Sequence, residues 1–105
     1  MTLLQKQQKF AEMVASLLVW LIGHGYKFTF GDAYRSVEEA TRLGKTNSLH
    51  TKRLAIDLNL FLNGKYLTKT EDYKEAGEYF ELIGGTWGGR FEDGNHFSLE
   101  HNGVK

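Results

Sequence analysis

A chain of 105 residues and 12.0 kDa with no cysteine fits one domain, residues 1–105. It excludes a disulfide framework and every Cys-based zinc or iron–sulfur site, so any metal must be held by imidazole and carboxylate. Hydrophobic residues at 41% and charged residues at 25% describe a globular protein, and thirteen Lys+Arg against thirteen Asp+Glu remove the electrostatic case for a nucleic-acid or anionic-membrane binder.

Phe10, Val14, Leu17, Leu18 and Leu21 recur at the spacing of one helical face and predict an amphipathic helix over residues 4–22. Its apolar run, Met13 to Gly23, has the length of a signal-peptide core. Glu12 stands directly before it, however, and no A-x-A-like cleavage site follows. The run is also too short to span a bilayer. The expectation is a core-packing helix in a chain with no stable membrane insertion and no export signal of its own. Gly23 and Gly25 suit the helix end, and Tyr26, Phe28 and Phe30 alternate with Lys27 and Thr29 as a short strand. Ser36 with Glu39 reads as a capping box and Gly44 as a C′ residue, so a short helix is expected over 37–43. Arg35 then lies just outside a helix N-terminus, on the loop leaving the first strand.

Residues 54–62 give the clearest strand. Leu54, Ile56, Leu58, Leu60 and Leu62 share one face, and Ala55, Asp57, Asn59 and Phe61 share the other. Asn63-Gly64 supplies a type I′ hairpin turn and residues 65–67 begin the return. Thr68 with Glu71 reads as a second capping box, opening a helix whose inner face is Tyr73, Ala76, Phe80 and Ile83, with Gly84-Gly85 as its stop. Residues 96–101 read as a last strand, with His96, Ser98 and Glu100 on one face. Helices and antiparallel strands in this order predict an α+β domain, a small antiparallel sheet flanked by helices.

Two features point to chemistry. Asp57 sits in the most apolar segment of the chain, where a carboxylate must face water, pair, or bind metal. His50 precedes it by seven residues, and a turn over 51–53 can bring the imidazole back beside it. The second feature is the stretch from Gly84 to Phe97, with five glycines in fourteen residues. It lacks the G-K-[ST] ending of a phosphate loop, and such glycine density suggests close approach of chain to chain or to ligand. Asp93 and His96 stand three apart at its end. An ordinary surface or core role competes for each residue alone. Together, His50, Asp57 and His96 are two imidazoles and a carboxylate, the zinc set that leaves a coordination position open, with Asp93 as a spare carboxylate. His24 and His101 read as ordinary surface residues and Trp20 as packing. Trp87 reads either as a wall of a cleft or as packing for the glycine loop.

At these residues the sequence resembles the D-alanyl-D-alanine carboxypeptidase family of zinc peptidases. Ser48-Leu49-His50 followed by Ala55-Ile56-Asp57-Leu58 resembles its S-x-H-x(6)-D motif. Asp93-Gly94-Asn95-His96-Phe97 resembles its second motif, and Asp32-Ala33-Tyr34-Arg35-Ser36 its Y-R-S segment. Trp87-Gly88-Gly89-Arg90-Phe91 brings the likeness nearest the phage branch of small L-alanyl-D-glutamate endopeptidases. The resemblance implies a hedgehog-like fold with zinc on the sheet face, held by His50, Asp57 and His96. It further implies Asp93 as general base, Arg35 binding the scissile carbonyl and stabilising the oxyanion, and Ser48 and Trp87 as substrate contacts. One departure is Arg53, at a position where many members have glycine.

The function this implies is hydrolysis of an amide bond in the peptidoglycan stem peptide, with zinc as cofactor, by an endolysin-type monomer. Such a chain is made in the host cytoplasm and acts on the cell wall with a helper such as a holin. A D-Ala-D-Ala carboxypeptidase or dipeptidase, and a non-catalytic zinc module that binds cell wall, are the alternatives.

Overall fold

The computed structural model describes residues 1–105. Helix α1 (Leu3–Gly23) opens with a capping box: Thr2 Oγ1 accepts from the Gln5 amide, and the Gln5 side chain accepts from the Thr2 amide. Phe10, Met13, Leu17 and Leu21 are its buried stripe, with Val14 and Leu18 half-buried, so the helix is rolled slightly toward Met13 from the face the spacing suggested. Strand β1 (Lys27–Phe30) follows, but Phe30 is exposed while Tyr26 and Phe28 pack inward.

Helix α2 (Val37–Arg42) keeps half of its expected capping box. Ser36 Oγ accepts from the Glu39 amide, and the Glu39 carboxylate turns away to pair with Arg42. Strand β2 (Ala55–Leu62) is the centre of the molecule. Its hairpin turn has both Asn63 and Gly64 at positive φ, which a type I′ turn requires, before the short β3 (Lys65–Tyr66). The second expected capping box is displaced by one residue: the Asp72 carboxylate, and not Glu71, accepts from the Lys69 amide at 3.2 Å. A 3-10 turn over Thr70–Tyr73 then leads into α3 (Lys74–Leu82), which buries Ala76, Gly77 and Phe80.

The last segment differs most from expectation. A two-residue strand, β4 (Thr86–Trp87), precedes a glycine-rich 3-10 turn, Gly88–Phe91. Strand β5 ends at Ser98 (His96–Ser98), short of the 101 expected, because the chain turns away into a tight His101–Val104 bridge. The sheet runs β1-β2-β5-β4 with β3 paired to β2, and every pairing is antiparallel. One face carries Leu54, Ile56, Leu58, Leu60 and Phe97 against α1 and Phe80. A fully buried leucine such as Leu17 or Leu58 stabilises the fold by about 2 kcal/mol. The opposite face of β2 and β5 is where the polar residues gather.

Candidate metal centre

Register places the first two residues of the site. Asp57 on β2 is the direct cross-strand partner of His96 on β5, so their side chains leave the same face side by side. His50 arrives from outside the sheet, on a 3-10 turn over Leu49–Lys52 whose cap is Ser48. The Ser48 hydroxyl accepts from the His50 amide at 3.2 Å. The turn ends at Arg53 in the left-handed conformation, φ 56, and the chain then enters β2.

One ligand atom from each of His50, Asp57 and His96 lies within 4.8 Å of the other two. His50 Nε2 is 3.4 Å, and His96 Nδ1 3.5 Å, from the same oxygen, Asp57 Oδ1. These separations exceed good N–H···O bonds. They match the edge of a tetrahedron with metal–ligand bonds near 2.0–2.1 Å, about 3.3 Å. His50 also has its tautomer set for ligation. Its Nδ1 is 3.0 Å from the Ala33 carbonyl, which can only accept, so Nδ1 keeps its proton and the neutral ring turns its Nε2 lone pair toward Asp57. His96 uses the opposite nitrogen. Its Nε2 is buried without a protein partner, as is the Ser98 hydroxyl two residues on. The donor set therefore fits a divalent metal of zinc type.

Electrostatics agree with the geometry. Burial opposes ionisation of Asp57, but the His50 and His96 imidazoles beside it outweigh burial and hold the carboxyl well below the usual carboxylate range. Burial likewise disfavours the His50 cation, yet the Asp57 carboxylate and the Ala33 carbonyl raise its pKa above that of an ordinary histidine. Without a metal, the site is an anion braced by imidazoles.

Around this point lies a cleft whose walls include Arg35, Lys45, Ser48, Phe91, Asp93 and Lys105. Arg35 is buried. Its Nη2 donates to Asp32 at 2.8 Å and its Nη1 to Ser48 Oγ at 3.3 Å, which fixes the orientation of the fork. Asp93 is half exposed and lines the cleft, with Oδ2 at 3.9 Å from His96 Nδ1, beside the His50–Asp57–His96 group and outside it. Glu92, its neighbour, lines other surface depressions and not this one.

Gly88 explains how Asp93 comes so close. A Cβ there would fall 2.2 Å from the Asp93 carbonyl oxygen and 2.7 Å from His96 Cβ, so only glycine lets the two turns touch. Trp87 corrects an expectation. It is buried, its indole N–H donates to the Gly94 carbonyl at 2.8 Å, and it does not line the cleft. It packs the glycine loop. Ser48 lines the cleft but spends its hydroxyl on the His50 amide and Arg35. Phe91, Lys45 and Lys105 reach the cleft without having been singled out for it. The Phe91 ring meets His96 edge-on with centroids 5.8 Å apart, and the spacing of the glycine segment offered a hint of it alone.

No helix is long and apolar enough to cross a membrane. The fold is similar to the crystal structure of the Serratia marcescens L-Ala D-Glu endopeptidase ChiX, with a TM-score of 0.69 and 19% identity over 89% of this chain and 79% of that one. No curated protein sequence matches the chain. The family model described as D-alanyl-D-alanine carboxypeptidase matches residues 42–99, more than half of the chain. The matched span contains His50, Asp57, Asp93 and His96, and Arg35 lies before it. The chain belongs to the D-alanyl-D-alanine carboxypeptidase family of peptidases.

Proposed function

We propose that this peptidase is zinc-dependent and hydrolyses an amide bond in the peptidoglycan stem peptide, with the L-Ala-D-Glu bond as the favoured target. The observation that carries the reading is the convergence of His50 Nε2, Asp57 Oδ1 and His96 Nδ1 at spacings suited to one tetrahedral ion, with a carboxylate and a guanidinium at the rim. His50, Asp57 and His96 would hold the zinc, which would supply Lewis acidity and lower the pKa of a water there.

The chain's own residues carry the remaining work. Asp93 is placed to accept a proton from the attacking water and return it to the leaving amine, since it stands beside the ligand group and keeps access to solvent. Arg35, its fork fixed by Asp32 and Ser48, binds the scissile carbonyl oxygen and stabilises the charge that develops on it. Ser48 acts through Arg35 and His50. The open cleft suits a peptide that is cut internally, as the ChiX likeness suggests, and an endolysin-type role on the cell wall follows from that substrate. The family model's description favours a second reading, D-Ala-D-Ala carboxypeptidase activity.

Mass spectrometry of purified peptidoglycan after digestion by the zinc-loaded protein separates these. Release of fragments with new L-Ala carboxyl and D-Glu amino ends supports the endopeptidase. Loss of terminal D-Ala alone supports the carboxypeptidase. Intact stem peptides, with one zinc per chain and retention on cell wall, would replace both with a binding module.

A further inference from the structure

The loop carrying Arg35 is tied to the turn carrying His50 at four points, and one of them takes no part in the chemistry above. Three are hydrogen bonds: His50 Nδ1 to the Ala33 carbonyl at 3.0 Å, the Arg35 amide to the His50 carbonyl at 3.2 Å, and Arg35 Nη1 to Ser48 Oγ at 3.3 Å. The fourth is Arg53, whose guanidinium carbon lies 4.2 Å from the centre of the Tyr34 ring. No ion pair engages Arg53. Its backbone is held at φ 56 and ψ 35, a conformation in which glycine would be unstrained and an arginine is not. An exposed side chain at a strained position, stacked on one ring, is poorly explained by stability alone.

Tyr34 has somewhere else to go. Its ring is half exposed and, with Arg53, lines the rim of an open hollow of about 460 Å³ whose floor is Phe10, Val14, Ala55 and Ile56. Sinking into that hollow would bury apolar ring surface, which is favourable, and would drag the adjoining Arg35 with it. The guanidinium over the ring opposes this movement.

We infer that Arg53 is a positioning residue: by holding the Tyr34 ring at the rim of the hollow, it keeps Arg35 in place over the metal cleft. The inference rests on the peptidase reading above, in which Arg35 contacts substrate. Arg53 itself touches neither substrate nor metal.

The test uses the full zinc-loaded chain as wild type, Arg53→Gly, Arg53→Lys, Tyr34→Ala and the Arg53→Gly/Tyr34→Ala double variant. Arg53→Gly suits the left-handed backbone, so its Tm should equal or exceed that of wild type. Its kcat on stem peptide should fall about 10- to 100-fold with KM changed by less than about twofold, because a misplaced oxyanion donor costs rate more than binding. Arg53→Lys should recover most of that loss, since an ammonium also sits over a tyrosine ring. Tyr34→Ala leaves no ring to sink, so its kcat should stay within about twofold of wild type, and the double variant should regain most of the rate lost in Arg53→Gly. Independently of turnover, the backbone amide resonance of Arg35 should shift in Arg53→Gly and return near its wild-type position in Arg53→Lys. Wild-type kcat in Arg53→Gly, a double variant as slow as Arg53→Gly, or an unmoved Arg35 amide would each overturn the inference. If wild type cleaves no stem peptide, the proposed function falls, and the Arg35 resonance still decides this inference.

Discussion

His50 is fixed by hydrogen bonds from its own neighbourhood, whereas His96 is fixed by packing and register. On the first wall of the cleft, Ser48 caps the turn, the Ala33 carbonyl sets the tautomer, and Arg35 is laced to the same turn. On the second wall, His96 is set by pairing with Asp57 across β2 and β5, and by a glycine turn packed around Trp87. A wall built of hydrogen bonds loses one bond at a time. A wall built of close contacts has no slack, so a single methyl group can displace it.

The largest effect should come where the walls meet. In the proposed ligand set, His50→Ala or His96→Ala should reduce zinc from one per chain to background and abolish hydrolysis, as read by elemental analysis and digestion. Metal retained by both variants would remove these residues as ligands. The pH trend sharpens the contrast between loaded and metal-free protein. His50 has a raised pKa in the metal-free fold, so its charged form stabilises that fold below the unfolded value of about 6.5, and this contribution is lost as pH rises through the folded value. Metal binding needs the neutral ring, so zinc content should move the other way and fall as pH drops through the same window. Asp57, with its pKa depressed, stays anionic throughout. Dialysis against buffers from roughly pH 5 to pH 8, with zinc content and Tm measured at each, checks both slopes.

Asp93→Asn should come next. It keeps size and hydrogen bonding on the packed wall but removes proton acceptance, and loss of a general base costs ~10²–10⁴ in rate. Zinc content should be unchanged because the three ligand atoms are untouched. Wild-type clearance of a cell-wall suspension by this variant would place the base elsewhere.

The contrast between the walls also explains what sequence could reveal. The His50 wall is local: Ser48, His50 and Asp57 fall within ten residues, and the alternation of β2 puts Asp57 opposite the leucines, so motif and periodicity find it. The helix faces were legible for the same reason. Trp87 was not. A tryptophan in a glycine loop has the same sequence whether it lines a cleft or is swallowed by Gly77 and Gly89, whose missing side chains make room for its ring. The displaced cap at Asp72 and the early end of β5 escaped notice because neighbouring tertiary contacts, and no local propensity, chose between adjacent residues.

Gly88→Ala tests the packed wall directly. The added Cβ would meet the Asp93 carbonyl oxygen and His96 Cβ, both anchored by backbone, so neither can swing aside. Overpacking of this kind costs about 1–3 kcal/mol. The turn should shift by about an ångström, enough to lower turnover about 10²-fold. A Tm and kcat both equal to wild type would mean that this wall has the slack denied to it here.

Ser48→Ala should have the smallest effect, and it addresses the hydrogen-bonded wall. The substitution removes the acceptor for the His50 amide and for Arg35 Nη1, but the turn keeps its backbone bonds and His50 keeps the Ala33 carbonyl. Loss of the cap should cost about 1 kcal/mol, seen as a modest fall in Tm. Zinc content should stay at one per chain, because the tautomer of His50 does not depend on Ser48. Turnover should drop about tenfold through the loosened Arg35 fork, in the range for a partner one shell removed from the chemistry. Ser48→Thr, which restores the hydroxyl, should return most of it. If Ser48→Ala instead raised KM steeply with kcat intact, the hydroxyl would be contacting substrate itself, and the division between a hydrogen-bonded wall that positions and a packed wall that reacts would have to be redrawn.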